Sequence, residues 1–170
     1  MLMNRHLDIT RMTSGTNRKL LQRELRKWLA RYTFTHFVTL SSNHQSFSYQ
    51  WMKQQLREWD ARVNHSLNGR RWQKRPDERL VWFAFPEKLT TNPHWHLLVA
   101  VDDRAETPAR AARLADFPIY GNRHWMNLCY QGSFDAQRIE SKGIIEYATK
   151  VSANPAYLER FVLSREFMNI

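Results

Sequence analysis

Pro93-His94-Trp95-His96-Leu97-Leu98-Val99-Ala100-Val101 is the stretch on which the reading of this chain turns. It predicts a strand, because it closes in an apolar run rich in strand formers and is bounded by Asn92-Pro93 and Asp102-Asp103. Alternate side chains of a strand share a face. His94 and His96 are therefore expected to point one way and Trp95 the other. Two imidazoles side by side on a rigid strand can grip one divalent metal ion. An isolated His-x-His more often supplies one core and one surface histidine, so the rest of the chain has to decide.

The segment just upstream, Leu80-Val81-Trp82-Phe83-Ala84-Phe85, reads as a strongly apolar strand. Pro86 through Pro93 then turns back, which predicts an antiparallel hairpin. If Glu87 pairs across from His94, residues 88–93 form the loop. Directly opposite side chains lie about 5 Å apart at Cβ on one face, and a carboxylate there completes a His, His, Glu set. A slip of one residue would turn Glu87 away, leaving it a solvated glutamate at a strand end.

Working outward, Thr35-His36-Phe37-Val38-Thr39-Leu40-Ser41 is a further strand, ended by Ser41-Ser42-Asn43. Before it, a helix beginning near Ser14 or Thr16 carries Leu21, Leu25, Trp28, Leu29 and Tyr32 at helical spacing, with Arg18, Lys19, Arg23, Arg26, Lys27 and Arg31 on its other faces. Residues 1–15 show no periodic apolar pattern and read as a tail. After the strand, Tyr49, Met52, Leu56, Trp59, Val63 and Leu67 give the cleanest amphipathic helix of the chain, broken by Asn68-Gly69. The basic loop Arg70-Arg71-Trp72-Gln73-Lys74-Arg75-Pro76 follows. Arg70, Arg71, Lys74 and Arg75 could hold phosphates while Trp72 stacks on an unpaired base; a solvated loop with one packing aromatic fits the same letters.

Downstream of the central strand, Thr107 or Pro108 opens a helix through Ala115, and Phe117-Pro118 is expected to stop it. Gly121 through Gln131 reads as a short extended segment containing His124, a structural or exposed histidine. Phe134-Asp135-Ala136-Gln137-Arg138-Ile139 alternates as a strand. Ser141 through Val151 reads as a helix whose apolar side is Ile144, Ile145, Ala148 and Val151, with Tyr147 and Lys150 neighbours on its surface. Asn154-Pro155 ends it, and Tyr157, Leu158, Phe161 and Val162 suggest a closing helix toward Phe167.

Composition bounds what these pieces can be. At 170 residues the chain is most simply one domain, and 42% hydrophobic and 13% aromatic residues suffice for one core. No stretch is long and apolar enough to cross a bilayer, and the first residues lack the apolar run of a secretory signal. A lone cysteine, Cys129 between Leu128 and Tyr130, rules out an internal disulfide and a multi-cysteine zinc site and reads as a packed thiol. The expected compartment is the cytoplasm, with no membrane contact. A net charge of +10, from 26 Lys+Arg against 16 Asp+Glu, favours a polyanionic partner.

Three stretches in order carry a resemblance. Phe37-Val38-Thr39-Leu40-Ser41, then Pro93-His94-Trp95-His96-Leu97-Leu98-Val99, then Tyr147-Ala148-Thr149-Lys150 with its preceding strand, together resemble the motifs of the HUH superfamily of single-strand nicking enzymes. Within that superfamily they are most similar to the single-tyrosine rolling-circle replication initiators, or Rep proteins. The resemblance spans roughly residues 34–152. It implies an α+β fold, an antiparallel sheet of four to five strands with packed helices in a ferredoxin-like or RRM-like arrangement, which the succession of strands and helices also suggests. On that division residues 1–33 are a basic N-terminal extension and helix, 34–152 the catalytic core and 153–170 a C-terminal helix.

By resemblance, His94 and His96 hold Mg²⁺ or Mn²⁺ with Glu87 as the acidic third ligand, and Tyr147 is the nucleophile. A tyrosine hydroxyl is mostly protonated at neutral pH, so a cation such as Lys150 would favour the phenolate or steady the transition state. The implied activity is nicking and rejoining of single-stranded DNA through a 5′-phosphotyrosine. It would start rolling-circle replication of a plasmid, phage or virus at an origin that can be a hairpin. The chain has no Walker A pattern, so such an enzyme borrows a host helicase and polymerase and needs no small-molecule cofactor. A single-tyrosine transposase or relaxase is the alternative within the class. Outside it stand a non-catalytic single-strand-binding module using the Trp72 loop, and a metal-dependent hydrolase that forms no covalent intermediate.

Overall fold

A computed structural model of the chain describes residues 15–43, 47–102, 105–141, 143–150 and 159–168. In chain order the elements are α1 (Gly15–Leu29), β1 (His36–Ser41), α2 (Tyr49–Asn68), β2 (Val81–Glu87), β3 (His94–Ala100), α3 (Pro108–Ala115), α4 (Phe117–Leu128), β4 (Ser133–Arg138), α5 (Ile144–Ala148) and β5 (Val162–Leu163). The strands form one antiparallel sheet in the order β4-β1-β3-β2-β5. The first four strands with α2 and the α3–α4 pair make a ferredoxin-like α+β arrangement, as expected.

One face of this sheet is closed. Val38 and Leu40 of β1, Trp82 and Ala84 of β2, and Trp95, Leu97 and Val99 of β3 pack against Met52, Leu56, Trp59, Val63 and Leu67 of α2 and against Leu114, Phe117 and Trp125 of α3 and α4. Four tryptophans in this layer are fully buried. Each indole brings a large apolar area and one N–H that must find an acceptor. Trp59 donates to Gly121 O at 3.0 Å, Trp82 to Asp60 Oδ1 at 2.8 Å, Trp95 to Met52 O at 3.2 Å and Trp125 to Ser41 O at 3.0 Å. Those bonds fix the ring orientations as well as satisfying the donors.

The second helix forms where its stripe predicts. Ser48 caps its start, accepting from Trp51 N at 3.1 Å, and Gly69 ends it in a left-handed backbone with φ +78°. On α2 also lies Asp60, 1% exposed, which accepts from Arg79 Nη2 at 2.6 Å, Trp82 Nε1 at 2.8 Å and Asn64 Nδ2 at 2.9 Å. Burial pushes this carboxyl up to about 6, against the opposing pull of Arg79, Trp82 and Asn64.

The described residues cover the other face only in part. Leu25 and Leu29 of α1 and Ala148 of α5 pack on Phe37, Phe83, Phe85 and Leu98. Trp28 meets Phe83 edge-on at 5.1 Å between centroids. Beyond this apolar patch, toward the β2–β3 turn, the same face carries polar side chains.

Several expectations need correction. The segment 121–131 is not extended: α4 runs from Phe117 to Leu128. The preceding helix ends at Ala115 as expected, but Phe117-Pro118 also opens this new one, since a proline in the first turn loses no intrahelical bond. Phe117, Gly121 and Trp125, four apart, make its buried face. Gly121 lets the Phe134 ring approach closely, since a Cβ there would stand 2.6 Å from it and force the ring to shift. No C-terminal helix fills 159–168; Val162–Leu163 pairs with β2 and Ser164–Phe167 is a 3-10 turn. The helix read from Ser141 to Val151 is only Ile144–Ala148, five residues. The N-terminal tail, the Ser14 cap, Val151, the Asn154-Pro155 stop, Tyr157 and Leu158 lie outside the described residues. Cys129 is buried, its thiol directed at Ser42 O.

Candidate metal centre

Glu87 pairs directly with His94, and Phe85 with His96, in the β2–β3 ladder. The hairpin therefore adopts the register that brings Glu87 onto the histidine face. Residues 88–93 make the turn; Lys88 takes φ +49°, and its carbonyl accepts from Thr91 N and Asn92 N, each at 3.1 Å. The turn residues thus fold on their own backbone and hold the two strand ends in step.

The three side chains converge. Glu87 Oε2 lies 2.6 Å from His96 Nε2 and 3.2 Å from His94 Nε2. One ligand atom from each residue lies within 4.8 Å of the others, so the group could hold a metal ion. The remaining ring nitrogens are engaged from behind. His94 Nδ1 stands 2.8 Å from Asn92 O, and His96 Nδ1 3.1 Å from Thr39 Oγ1. A carbonyl oxygen only accepts, so His94 carries a proton on Nδ1 and turns Nε2 toward the carboxylate. A bare nitrogen lone pair 3.2 Å from a carboxylate oxygen is repulsive. A proton or a cation between them removes that repulsion. This donor set, two imidazoles oriented by outer hydrogen bonds plus one carboxylate, fits a divalent ion with coordination positions left open.

Electrostatics agree with that fit. Partial burial raises the pKa of Glu87, but the His96 hydrogen bond and the charges of both imidazoles outweigh it and hold the carboxyl below its ordinary range. Burial, helped by His94, pushes His96 down despite its bond to Glu87. A deprotonated carboxylate beside a neutral imidazole is the protonation state a metal needs. His94 and His96 are 9% and 8% exposed, whereas Glu87 is half-buried at the rim, so the open side faces solvent past the carboxylate. Phe37 stacks on His96 at 5.2 Å and forms an apolar floor.

Tyr147 comes from α5 to the same face. Its ring lies 6.1 Å from that of His96 and 5.6 Å from that of Phe37, both edge-on, and the residue is 56% exposed. Lys150 is exposed and sits in the turn after the shortened helix, its backbone N–H donating to Tyr147 O at 3.1 Å. It is thus tied to Tyr147 through the backbone rather than as a neighbour on a continuous helix.

The basic loop belongs elsewhere. Trp72 is 9% exposed and the Arg79 guanidinium covers its ring at 4.6 Å, so it packs on the body of the protein and offers no platform for a base. Arg70, Arg71, Lys74 and Arg75 are exposed, and Arg75 pairs with Glu78 at 3.3 Å. These residues precede the start of β2, whereas Glu87 is its last residue. At about 3.3 Å per residue, the length of that strand puts about 20 Å between loop and triad. His124 bonds Ser66 Oγ at 2.8 Å on the helical layer, a structural placement.

Three contributors were not singled out beforehand: Thr39, Asn92 and Phe37. Thr39 and Phe37 lie in the Phe37–Ser41 strand, and alternation alone puts them on one face with Ser41. What the sequence lacks is the pairing of β1 with β3, which brings Thr39 opposite His96. No described helix is long and apolar enough to cross a membrane. No protein-family model, curated protein or solved structure matches the chain.

Proposed function

We propose that this chain is a metal-dependent endonuclease and strand transferase acting on single-stranded DNA, of the single-tyrosine Rep kind that starts rolling-circle replication. The observation that carries the reading is the meeting of Glu87, His94 and His96 with the exposed ring of Tyr147 on the partly open face of one sheet. The ordered resemblance of the three sequence stretches and the charge of +10 add to it.

The triad would hold Mg²⁺ or Mn²⁺, which when bound supplies positive charge to the scissile phosphate. Tyr147 attacks phosphorus through its phenolic oxygen. A tyrosyl–phosphorus bond forms, the bond from phosphorus to the 3′ oxygen breaks, and that oxygen takes up a proton as a free hydroxyl. The phenolic proton leaves to solvent. The ester keeps the bond energy, so the 3′ hydroxyl can reverse the step and rejoin a strand without a nucleotide cofactor. Lys150, in the turn directly after α5, is the cation proposed to favour the phenolate. The burial of Trp72 removes the feature that favoured a non-catalytic binding module.

The test is incubation of the purified chain with Mn²⁺ and a random-sequence pool of single-stranded oligonucleotides. The expected product is a denaturation-resistant protein–DNA adduct, absent without metal and absent in Tyr147→Phe. Cleavage that leaves no adduct and persists in Tyr147→Phe would replace the reading by a metal-dependent hydrolase.

A further inference from the structure

We propose that Gln22 and Arg26 of α1 are positioning residues that fix the short helix carrying Tyr147 over the cation site. The inference rests on the nicking reading for its consequence, but its structural half stands apart from it. A five-residue helix cannot hold itself, since a single turn gains too few hydrogen bonds to offset the order it imposes. Something outside α5 must therefore anchor it.

That anchor is Thr149, at the C-cap. Thr149 N donates to Ile145 O at 3.0 Å and Thr149 Oγ1 donates to Ile145 O at 2.7 Å, folding the cap back onto the helix. Gln22 Nε2 donates to Thr149 O at 2.9 Å, and Arg26 Nε donates to Thr149 Oγ1 at 2.9 Å. Gln22 and Arg26 are four apart, so they come from one side of α1. The next side of α1 carries Leu25 and Leu29 into the apolar patch of the sheet, where Ala148 is buried too. The first helix thus joins the sheet to α5. Tyr147 itself is more than half exposed, and among the described residues its ring has edge contacts with Phe37 and His96. Its approach to the triad is set by where the helix backbone sits.

The consequence is a role for the basic first helix, which the resemblance does not cover. In the full chain, Gln22→Ala/Arg26→Ala should speed amide hydrogen exchange at Tyr147, Thr149 and Lys150 about 10-fold while leaving the β3 amides as they are. Mn²⁺ affinity should stay within about twofold of wild type, because no ligand moves. With an oligonucleotide recovered from the wild-type adduct, the maximal adduct rate should fall about 10- to 100-fold at unchanged half-saturation, the signature of a misplaced nucleophile. Arg26→Lys, which keeps one donor, should recover part of that loss. Gln22→Glu, of the same shape without the donor, repeats the exchange test should the double variant fail to fold. Unchanged exchange in α5, or faster exchange spread equally over the sheet, would overturn the proposal. So would an undiminished adduct rate from a loosened α5. If wild type forms no adduct, the nicking reading fails by itself and the exchange arm alone decides whether α1 anchors α5.

Discussion

Asp60 and Glu87 are two carboxylates on opposite sides of one sheet, and they have been given opposite surroundings. Asp60 lies in the closed layer with its counter-ion built in: Arg79 sits 2.6 Å away, and Trp82 and Asn64 share the remaining lone pairs. Glu87 lies at the edge of the partly open face, and its nearest partners are two imidazoles whose outer nitrogens are held by Asn92 and Thr39. The Asp60 carboxylate has all its partners built in as side chains. Glu87 belongs to a group of three side chains that could hold a metal ion. Burial decides the difference: it pushes the Asp60 carboxyl up to about 6, whereas histidine contacts hold Glu87 below its ordinary range. A buried acid with a fixed guanidinium holds one core arrangement; an acid beside two imidazoles at the rim of the sheet is a group that could hold a metal ion.

Removing the built-in cation should have the largest effect. Arg79→Met leaves Asp60 buried without its partner and should cost about 3–5 kcal/mol in urea unfolding. A loss under about 1 kcal/mol would mean that the pair is not the structural element described. Next, the Asp60 carboxyl should give stability a pH slope. Its native pKa of about 6 lies above the ordinary value of 3.8. Between those values the native state binds more protons than the unfolded one, so Asp60 makes the protein less stable as pH rises through that window. The cost is full above about pH 6 and relieved toward pH 4, on the order of 2–3 kcal/mol. Asp60→Asn should lose that component of the slope, read from urea midpoints between pH 4 and 7.

On the open side, Thr39→Val keeps the shape of the strand but drops the hydroxyl behind His96. Mn²⁺ affinity should weaken about 10-fold, with a stability change under about 1 kcal/mol. Unaltered affinity would mean that Thr39 does not orient the imidazole. The smallest effect is expected from Arg70→Ala/Arg71→Ala/Lys74→Ala. These side chains are exposed and stand at the far end of β2, so the adduct rate at saturating DNA should change less than about twofold and stability by no more than about 0.5 kcal/mol. A large fall in that rate would bring the basic loop back into the site.

The contrast also explains what could be read in advance. Alternation along His94-Trp95-His96 separates the two faces at a glance, because a period of two is local. The hairpin itself was legible, but its letters left the register open by one residue; the structure selects the pairing of Glu87 with His94. The α2 stripe and its Gly69 end, being local, were legible as well. Long-range pairings were not. Thr39 behind His96, and Gln22 and Arg26 under Thr149, depend on which strands and helices become neighbours across more than fifty residues. Trp72 stayed open between two readings because an indole among cations looks alike whether it stacks on a base or under its own Arg79; the structure bears out the packed one. The Gly121 segment was misread because glycine and Pro118 weigh against a helix locally, while the contact of Gly121 with Phe134 that selects glycine there is tertiary.

The most direct test is a titration of the wild-type chain with Mn²⁺ at pH 7, followed by calorimetry or by loss of the free-ion EPR signal, beside Glu87→Gln. The account predicts one saturable site per chain, weakened at least about 100-fold in a Glu87→Gln protein that remains folded. No saturable binding by wild type, or equal binding by the two proteins, would contradict it.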